Sequence, residues 1–309
     1  MTFTWRALTR ADIPAAAAVA NAAFAADGTG EMVTEELMAE DFGNPRLNLA
    51  SDTIGLWDGD DLAGLGSVHG REELVDGRAL VTLRGQIHPR HRGRGLGRRL
   101  LTYLEGLGEE WAAKHLPGAP VRLRASGGLA GSSTQQLLEQ SGYRPDNYFV
   151  TMEVDLSTWA DPGTQTVAIR PGEELREAIR EAHNDAFRDH RNYSPIPADQ
   201  WAHFAASSSM RPEQSQVVLV DGRVLAYALA TEEKPGTLHL GLVGTRREAR
   251  GRGLAKDVLI ASLRAAREAG FDISELEVDQ SSPTGADRLY ASVGYRPVRV
   301  LSRYTRDVS

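Results

Sequence analysis

The chain has 309 residues, no cysteine, 35 Lys and Arg against 42 Asp and Glu, and a formal net charge of -7. The missing cysteine excludes a disulfide framework, a thiolate zinc site, an iron–sulfur cluster and a cysteine nucleophile. The net acidity argues against a nucleic-acid binder, whose affinity rests on neutralised phosphates, and at about 150 residues per domain the length fits two domains.

Residues 1–25 scatter Arg6, Arg10 and Asp12 through an apolar run, unlike a secretion signal. No later stretch is apolar for the roughly 20 residues of a membrane span, so a soluble, cytoplasmic protein is expected. An extended run at 4–8 leads into helices over 11–24 and 35–41. Strands over 53–57 and 62–68 flank Asp58-Gly59-Asp60-Asp61, and a third over 80–87 runs through a glycine-rich turn into a long helix over 95–114. The layout then returns. An extended run at 166–169 precedes helices over 173–187 and 198–206, and strands at 215–220 and 224–230 flank the hairpin signal Asp221-Gly222-Arg223. A strand over 238–243 feeds a second long helix over 253–269, and each copy should end in a strand, a short helix and a closing strand pair. Asp161-Pro162-Gly163 marks 156–166 as a linker between domains 1–155 and 167–309.

Three landmarks recur in order, which is the signature of an internal repeat. Asn21-Ala22-Ala23-Phe24 returns as Asn184-Asp185-Ala186-Phe187, Arg92-Gly93-Arg94-Gly95-Leu96-Gly97 as Arg250-Gly251-Arg252-Gly253-Leu254-Ala255, and Gly142-Tyr143-Arg144-Pro145 as Gly294-Tyr295-Arg296-Pro297. A glycine-rich turn between strand and helix presents backbone N–H groups at the positive end of the helix dipole, a ready anion site. It is not a Walker loop or a dinucleotide fingerprint, because Arg98-Arg99 and Lys256-Asp257 stand where Gly-Lys-Ser/Thr endings or a last glycine belong.

On these residues the chain resembles the GNAT superfamily of acetyl-CoA-dependent N-acyltransferases, whose Arg/Gln-x-x-Gly-x-Gly/Ala signature reads here at Arg92–Gly97 and Arg250–Ala255. The resemblance spans the chain in two tandem copies. Val243-Gly244-Thr245-Arg246-Arg247 and the segment 279–290 add a likeness to the actinobacterial tandem group that includes mycothiol synthase. The resemblance implies an α/β (α+β) fold of two domains, each a mixed, mostly antiparallel sheet flanked by helices. It implies acetyl-CoA bound through its pyrophosphate without a metal, at Arg250, Gly251, Arg252, Gly253, Leu254 and Ala255 with Ser282, and along Val243, Gly244 and Thr245 of the preceding strand. Ile87, Arg92, Gly93, Arg94, Gly95, Leu96 and Gly97 are the corresponding positions of the first copy.

Amide formation from a thioester needs a neutral amine and a proton for the departing thiolate. The resemblance assigns the proton to Tyr290, four residues before Gly294; the first copy has Leu138 there, so catalysis is expected in the C-terminal copy. The alternative for Tyr290 is a tyrosine that only packs the helix on the sheet. For the general base, His239 on the strand before the second turn competes with Glu277 and Asp279, and a strand-face histidine satisfied by its neighbours is the plain alternative. The acceptor wall is expected from Asp185, Asp189, His190 and Trp201, suited to a cationic amine. The expected activity is direct acetyl transfer to a primary amine of a small molecule by a monomer or homodimer, with no nucleic acid or membrane partner. The rivals are an acyl-CoA sensor without turnover and a protein or peptide N-acetyltransferase. The N-terminal copy either binds acetyl-CoA structurally or is a degenerate duplicate.

Overall fold

The computed structural model describes residues 3–189, 193–280 and 285–308. Two units divide the chain: Met1–Tyr148 with Val300–Ser309, and Phe149–Arg299. The first holds β1 (Thr4–Arg6), α1 (Ile13–Asp27), α2 (Glu35–Phe42), α3 (Leu49–Asp52), β2 (Thr53–Asp58), β3 (Asp61–Gly70), β4 (Ala79–Ile87), α4 (Leu96–His115), β5 (Val121–Leu129) and α5 (Ser133–Gln140). After β6 (Arg144–Asp155), the second holds α6 (Arg176–Ala186), α7 (Ala198–Ala205), β7 (Gln216–Val220), β8 (Arg223–Lys234), β9 (Thr237–Thr245), α8 (Leu254–Glu268), β10 (Ile273–Asp279) and α9 (Ala286–Ser292), followed by β11 (Arg296–Val308).

The first unit's strands run in the order β1-β2-β3-β4-β5-β11 and the second's β7-β8-β9-β10-β6. In each, one pair is parallel, β4 with β5 and β9 with β10, and the other neighbours are antiparallel. The closing strands are exchanged between the halves of the sequence. Residues 149–155 of β6 pair with β10, from Phe149 opposite Asp279 to Asp155 opposite Ile273, and β11 pairs with β5, from Leu301 opposite Leu129 to Val308 opposite Val121. The segment 156–166 is therefore no free tether and packs into the second unit. Leu156 and Trp159 are buried in its core, Trp159 donates its indole N–H to the Val293 carbonyl at 2.9 Å, and the Gln165 and Thr166 N–H groups bond the buried Asp257 carboxylate at 3.0 Å each. The extended run expected at 166–169 is reduced to one bridge, Ile169 with Val217.

Hydrophobic periodicity explains the helices that carry the turns. Leu96, Leu100, Leu101, Leu104 and Trp111 line the buried face of α4, and Leu254, Val258, Leu259, Leu263 and Ala266 that of α8. At about 1.5–3 kcal/mol for each fully buried large apolar side chain, such stripes dominate the attachment of both helices to their sheets. The repeated asparagines have one shared job. Asn21 brackets Val33, donating to its carbonyl at 2.7 Å and accepting from its N–H at 2.9 Å, and Asn184 brackets Ile196 in the same way at 3.2 and 2.8 Å. Each clamps the segment that follows the first helix of its unit.

Candidate active site

Both parallel pairs come apart toward their C-terminal ends. β4 and β5 pair only from Ala79 opposite Val121 to Leu83 opposite Ala125, and β9 and β10 only from Thr237 opposite Ile273 to His239 opposite Glu275. Past those points each unit has two strands without mutual bonds, and a glycine-rich turn follows the first of them. β9 has one further distortion. Leu229 faces Leu242 while Ala230 faces Leu240, so Gly241 is an extra, bulged residue, whereas β4 keeps an unbroken register from Ile87 opposite Gly64 to Val81 opposite Gly70.

The turns themselves match closely. Gly93 and Gly95 have φ of 75° and 74°, Gly251 and Gly253 75° and 79°, and a Cβ built on any of the four would stand in open space. Left-handed backbone favours glycine at these positions, and the space beside it leaves the N-termini of α4 and α8 accessible to an anion. The arginine opening each motif is held from behind. Arg92 forms a two-point pair with Asp27 at 2.6 and 2.9 Å, and Arg250 reaches Asp189 at 3.0 Å and the Ala186 carbonyl at 2.7 Å. Asp189 also binds Arg247, whose backbone N–H is accepted by Asp185 at 3.0 Å. Each arginine thus ties its turn to an aspartate at or just past the end of the first helix of its unit.

The proton-handling candidates lie in the second unit. Tyr290 on α9 is buried in the cluster that contains Leu240 of β9 and Val278 of β10, with Val243 packed against it. Burial pushes its phenol up to about 12, so it keeps its proton across the working pH range. Leu138 takes the corresponding place on α5, 2% exposed in the first unit's core. His239 lies across the sheet on the other face of β9 from Leu238 and Leu240, with Nδ1 3.5 Å from Glu275 Oε1. Glu277 is exposed on β10, as its alternation with the buried Leu276 and Val278 requires; Asp279 ends the strand, half-buried. Among the three acidic residues of β10, Glu275 is the buried one, and it is the one the sequence pattern did not single out. Its signal was available only in the register, which sets it opposite His239.

Of the remaining candidates, Val243 is half-buried and Gly244 supports Tyr227, whose hydroxyl would lie 2.3 Å from a Cβ at that position. The Tyr227 hydroxyl is bonded to His183 Nδ1 at 2.8 Å. Thr245 ends β9 with its Oγ1 buried and, among the described residues, without a hydrogen-bond partner, an orphaned polar atom at the mouth of the turn. Ile87 ends β4 as a buried residue, and Leu96 and Leu254 begin their helices as buried anchors, followed by Gly97 and Ala255. Arg94 and Arg252 are exposed on the turns. Ser282 and His190 lie outside the described residues. Of the residues expected at the acceptor wall, Asp185 and Asp189 bond Arg247 and Arg250 of the turn, and Trp201 is buried in the α6–α7 core with its indole N–H on the Arg176 carbonyl at 3.0 Å. Its large ring is used for packing, which takes it out of contact with solvent.

The GNAT acetyltransferase family matches residues 22–127 and again 176–295. The chain belongs to that family. It is an N-acetyltransferase with two GNAT domains in tandem. It is 28% identical over 97% of its length to a mycothiol acetyltransferase of Thermobispora bispora, 96% of which is covered. A GCN5-related N-acetyltransferase from Sphaerobacter thermophilus superposes with a TM-score of 0.76 at 26% identity, over 99% of this chain and 95% of that one. A tandem GNAT protein from the clavulanic acid biosynthesis pathway shares the fold at 17% identity, with a TM-score of 0.71 over 99% and 98% of the two chains. Among the described residues no helix is long and apolar enough to cross a membrane, and no group of three or more His, Asp or Glu could hold a metal ion.

Proposed function

We propose that the second unit transfers an acetyl group from acetyl-CoA directly to a primary amine of a small molecule in the cytoplasm, and that the first unit binds an acyl-CoA without turning it over. The observation that carries this reading is an asymmetry. Both units have the open glycine turn, but only the second flanks its diverging strands with a protonated tyrosine on one face and a histidine on the other.

The fit of the cofactor rests on the four unobstructed glycines and on the orphaned Thr245 hydroxyl. In the second unit the N–H groups of residues 250–255 would hold the pyrophosphate and the backbone of 243–245 the pantetheine arm, with Ser282 as a further cofactor contact. Bound acetyl-CoA supplies an acyl carbon open to a neutral amine and a thiolate leaving group. His239 would take the proton that the amine nitrogen loses as the C–N bond forms, and Tyr290 Oη would give its proton to the sulfur as the C–S bond breaks. Glu277, exposed on β10, is the second candidate for the base. Asp185 and Asp189, which bond Arg247 and Arg250 of the turn, would shape the acceptor side indirectly, with His190 and Trp201 as the further acceptor candidates.

The reading is tested by following thioester loss with acetyl-CoA and a panel of amines, beside calorimetric binding of acetyl-CoA. Binding with turnover on at least one small amine supports it. Tight binding with no turnover on small amines or peptides favours a sensor, and turnover on peptides alone favours a peptide acetyltransferase.

A further inference from the structure

Glu275 is unusual among the carboxylates of the second unit in the number of groups that converge on it. His239 Nδ1 lies 3.5 Å from Oε1; Lys234 Nζ lies 2.6 Å and Arg299 3.5 Å from Oε2. Arg299 also reaches Glu153, the residue opposite Glu275 on β6, at 3.1 Å. The groups come from β8, β9, β6 and the start of β11, and Glu277 lies two residues along β10 on the same face. With His239 neutral, Glu275 and Glu153 balance Lys234 and Arg299, and Glu277 adds a third carboxylate from its exposed position. Burial alone would raise the Glu275 carboxyl, but bonding to His239 and Lys234 outweighs it and holds the group below the usual range.

The other edge of the imidazole is placed just as definitely. A Cβ at Gly241 would lie 3.3 Å from His239 Cδ2 and 3.6 Å from Nε2, so the Nε2 edge lies over the bulged glycine where β9 begins to part from β10. We propose that Glu275 is a positioning residue that holds His239 by Nδ1–H and thereby turns an unprotonated Nε2 over Gly241, toward the opening between the strands. This inference rests on the proposed role of His239 and extends it to a group that touches no substrate. The carboxylate fixes both the tautomer and the orientation of the ring, and Lys234 and Arg299 hold the carboxylate from its other oxygen.

The two kinds of partner have opposite effects, which gives the test its sign. Glu275→Gln removes the negative charge beside the ring, so the acidic limb of the pH–rate profile moves down by about one pH unit. Lys234→Met removes a competing cation, so the limb moves up. A role confined to folding lowers rates at every pH and leaves the limb in place in both variants. The rates are measured with acetyl-CoA and the fastest of glycinamide, glucosamine and spermidine. Independently of turnover, nitrogen chemical shifts of the His239 ring, assigned against His239→Gln among the 8 histidines, report its tautomer at pH 8. Wild type is expected to show Nδ1–H alone, Glu275→Gln a mixture, and Glu275→Asp a partial return. An Nε2–H ring in the wild type, or a tautomer indifferent to Glu275→Gln, overturns the pairing. If His239→Ala keeps the acidic limb while the tautomer responds to Glu275, the pairing stands and the base assignment falls.

Discussion

Thr82 and Arg124 hold in the first unit the register positions that His239 and Glu275 hold in the second: Thr82 lies between His69 and Arg124, as His239 lies between Thr231 and Glu275. Arg124 spends its Nε and Nη2 donors on the Thr82 hydroxyl at 3.1 and 2.8 Å. Burial, with Arg303 and Arg71 near it, brings its guanidinium down to about 9, still protonated at neutral pH. An imidazole beside a carboxylate in the second unit answers to a hydroxyl beside a cation in the first, Tyr290 answers to Leu138, and the bulge at Gly241 has no counterpart in β4. Yet the glycine turn and the aspartate that holds its arginine remain in both copies. The difference teaches that, under the proposed roles, anion binding and proton transfer would reside in separable parts of this fold: the first would need backbone shape, the second particular side chains on particular strands.

The most severe way to break the comparison is to block one turn at a time. Gly253→Asp forces a side chain onto left-handed backbone and sets a negative charge at the helix N-terminus, so kcat/KM should fall by at least about a hundredfold; Gly95→Asp should change it by less than about threefold. The reverse pattern moves catalysis to the first unit. Next, Tyr290→Phe should lower kcat by about ten- to a hundredfold while the calorimetric Kd for acetyl-CoA stays within about twofold; an unchanged kcat removes the phenol from the mechanism. Smaller effects are expected from the residues that brace the arginines. Asp189→Asn should weaken acetyl-CoA binding at the second unit by about three- to tenfold, and Asp27→Asn should do the same at the first alone. Two binding isotherms that respond together sink the idea that each turn is braced locally.

The smallest expected difference concerns the entrances to α1 and α6. Asp12 pairs with Arg6 at 2.8 Å and accepts the Thr9 N–H at 2.8 Å, and chiefly the Arg6 hydrogen bond lowers its carboxyl from 3.8 to about 2. The second unit has Leu175 at the corresponding place before α6. A depressed carboxyl stabilises the fold above its unfolded value, and that contribution is lost as the pH falls from about 4 through about 2. Hydrogen exchange in α1 should therefore speed up over that window more than exchange in α6, and Asp12→Asn should abolish the difference.

The repeat, the two glycine turns, the hairpin at Asp221-Gly222 and the unequal pair Tyr290 and Leu138 were all legible in the sequence, because each depends on local spacing or on a residue type that admits few roles. Asp221 and Gly222 do adopt φ of 50° and 74°. What escaped was set by pairing at a distance. Glu275, Glu277 and Asp279 alternate identically along β10, and only the neighbouring strands decide that Glu275 is the covered one. The sequence put the acidic residues at 185 and 189 in an acceptor wall, whereas they bond Arg247 and Arg250, about 60 residues later and beyond the reach of periodicity arguments. Asp161-Pro162-Gly163 is a turn signal that the structure honours locally, with the Gly163 N–H on Asp161 at 2.8 Å, while Leu156 and Trp159 beside it anchor the segment in the second unit's core.

The exchanged closing strands bear on how such a chain is made. The sheet of the first unit lacks its final strand until β11 has been synthesised, about 150 residues after Tyr148 leaves the ribosome. During that interval β5 presents an open edge, the condition that invites wrong pairings. β6 waits only for β10 to arrive. The second unit can therefore close first, although its sequence comes later, and vectorial synthesis would complete the two copies in the reverse of their genetic order.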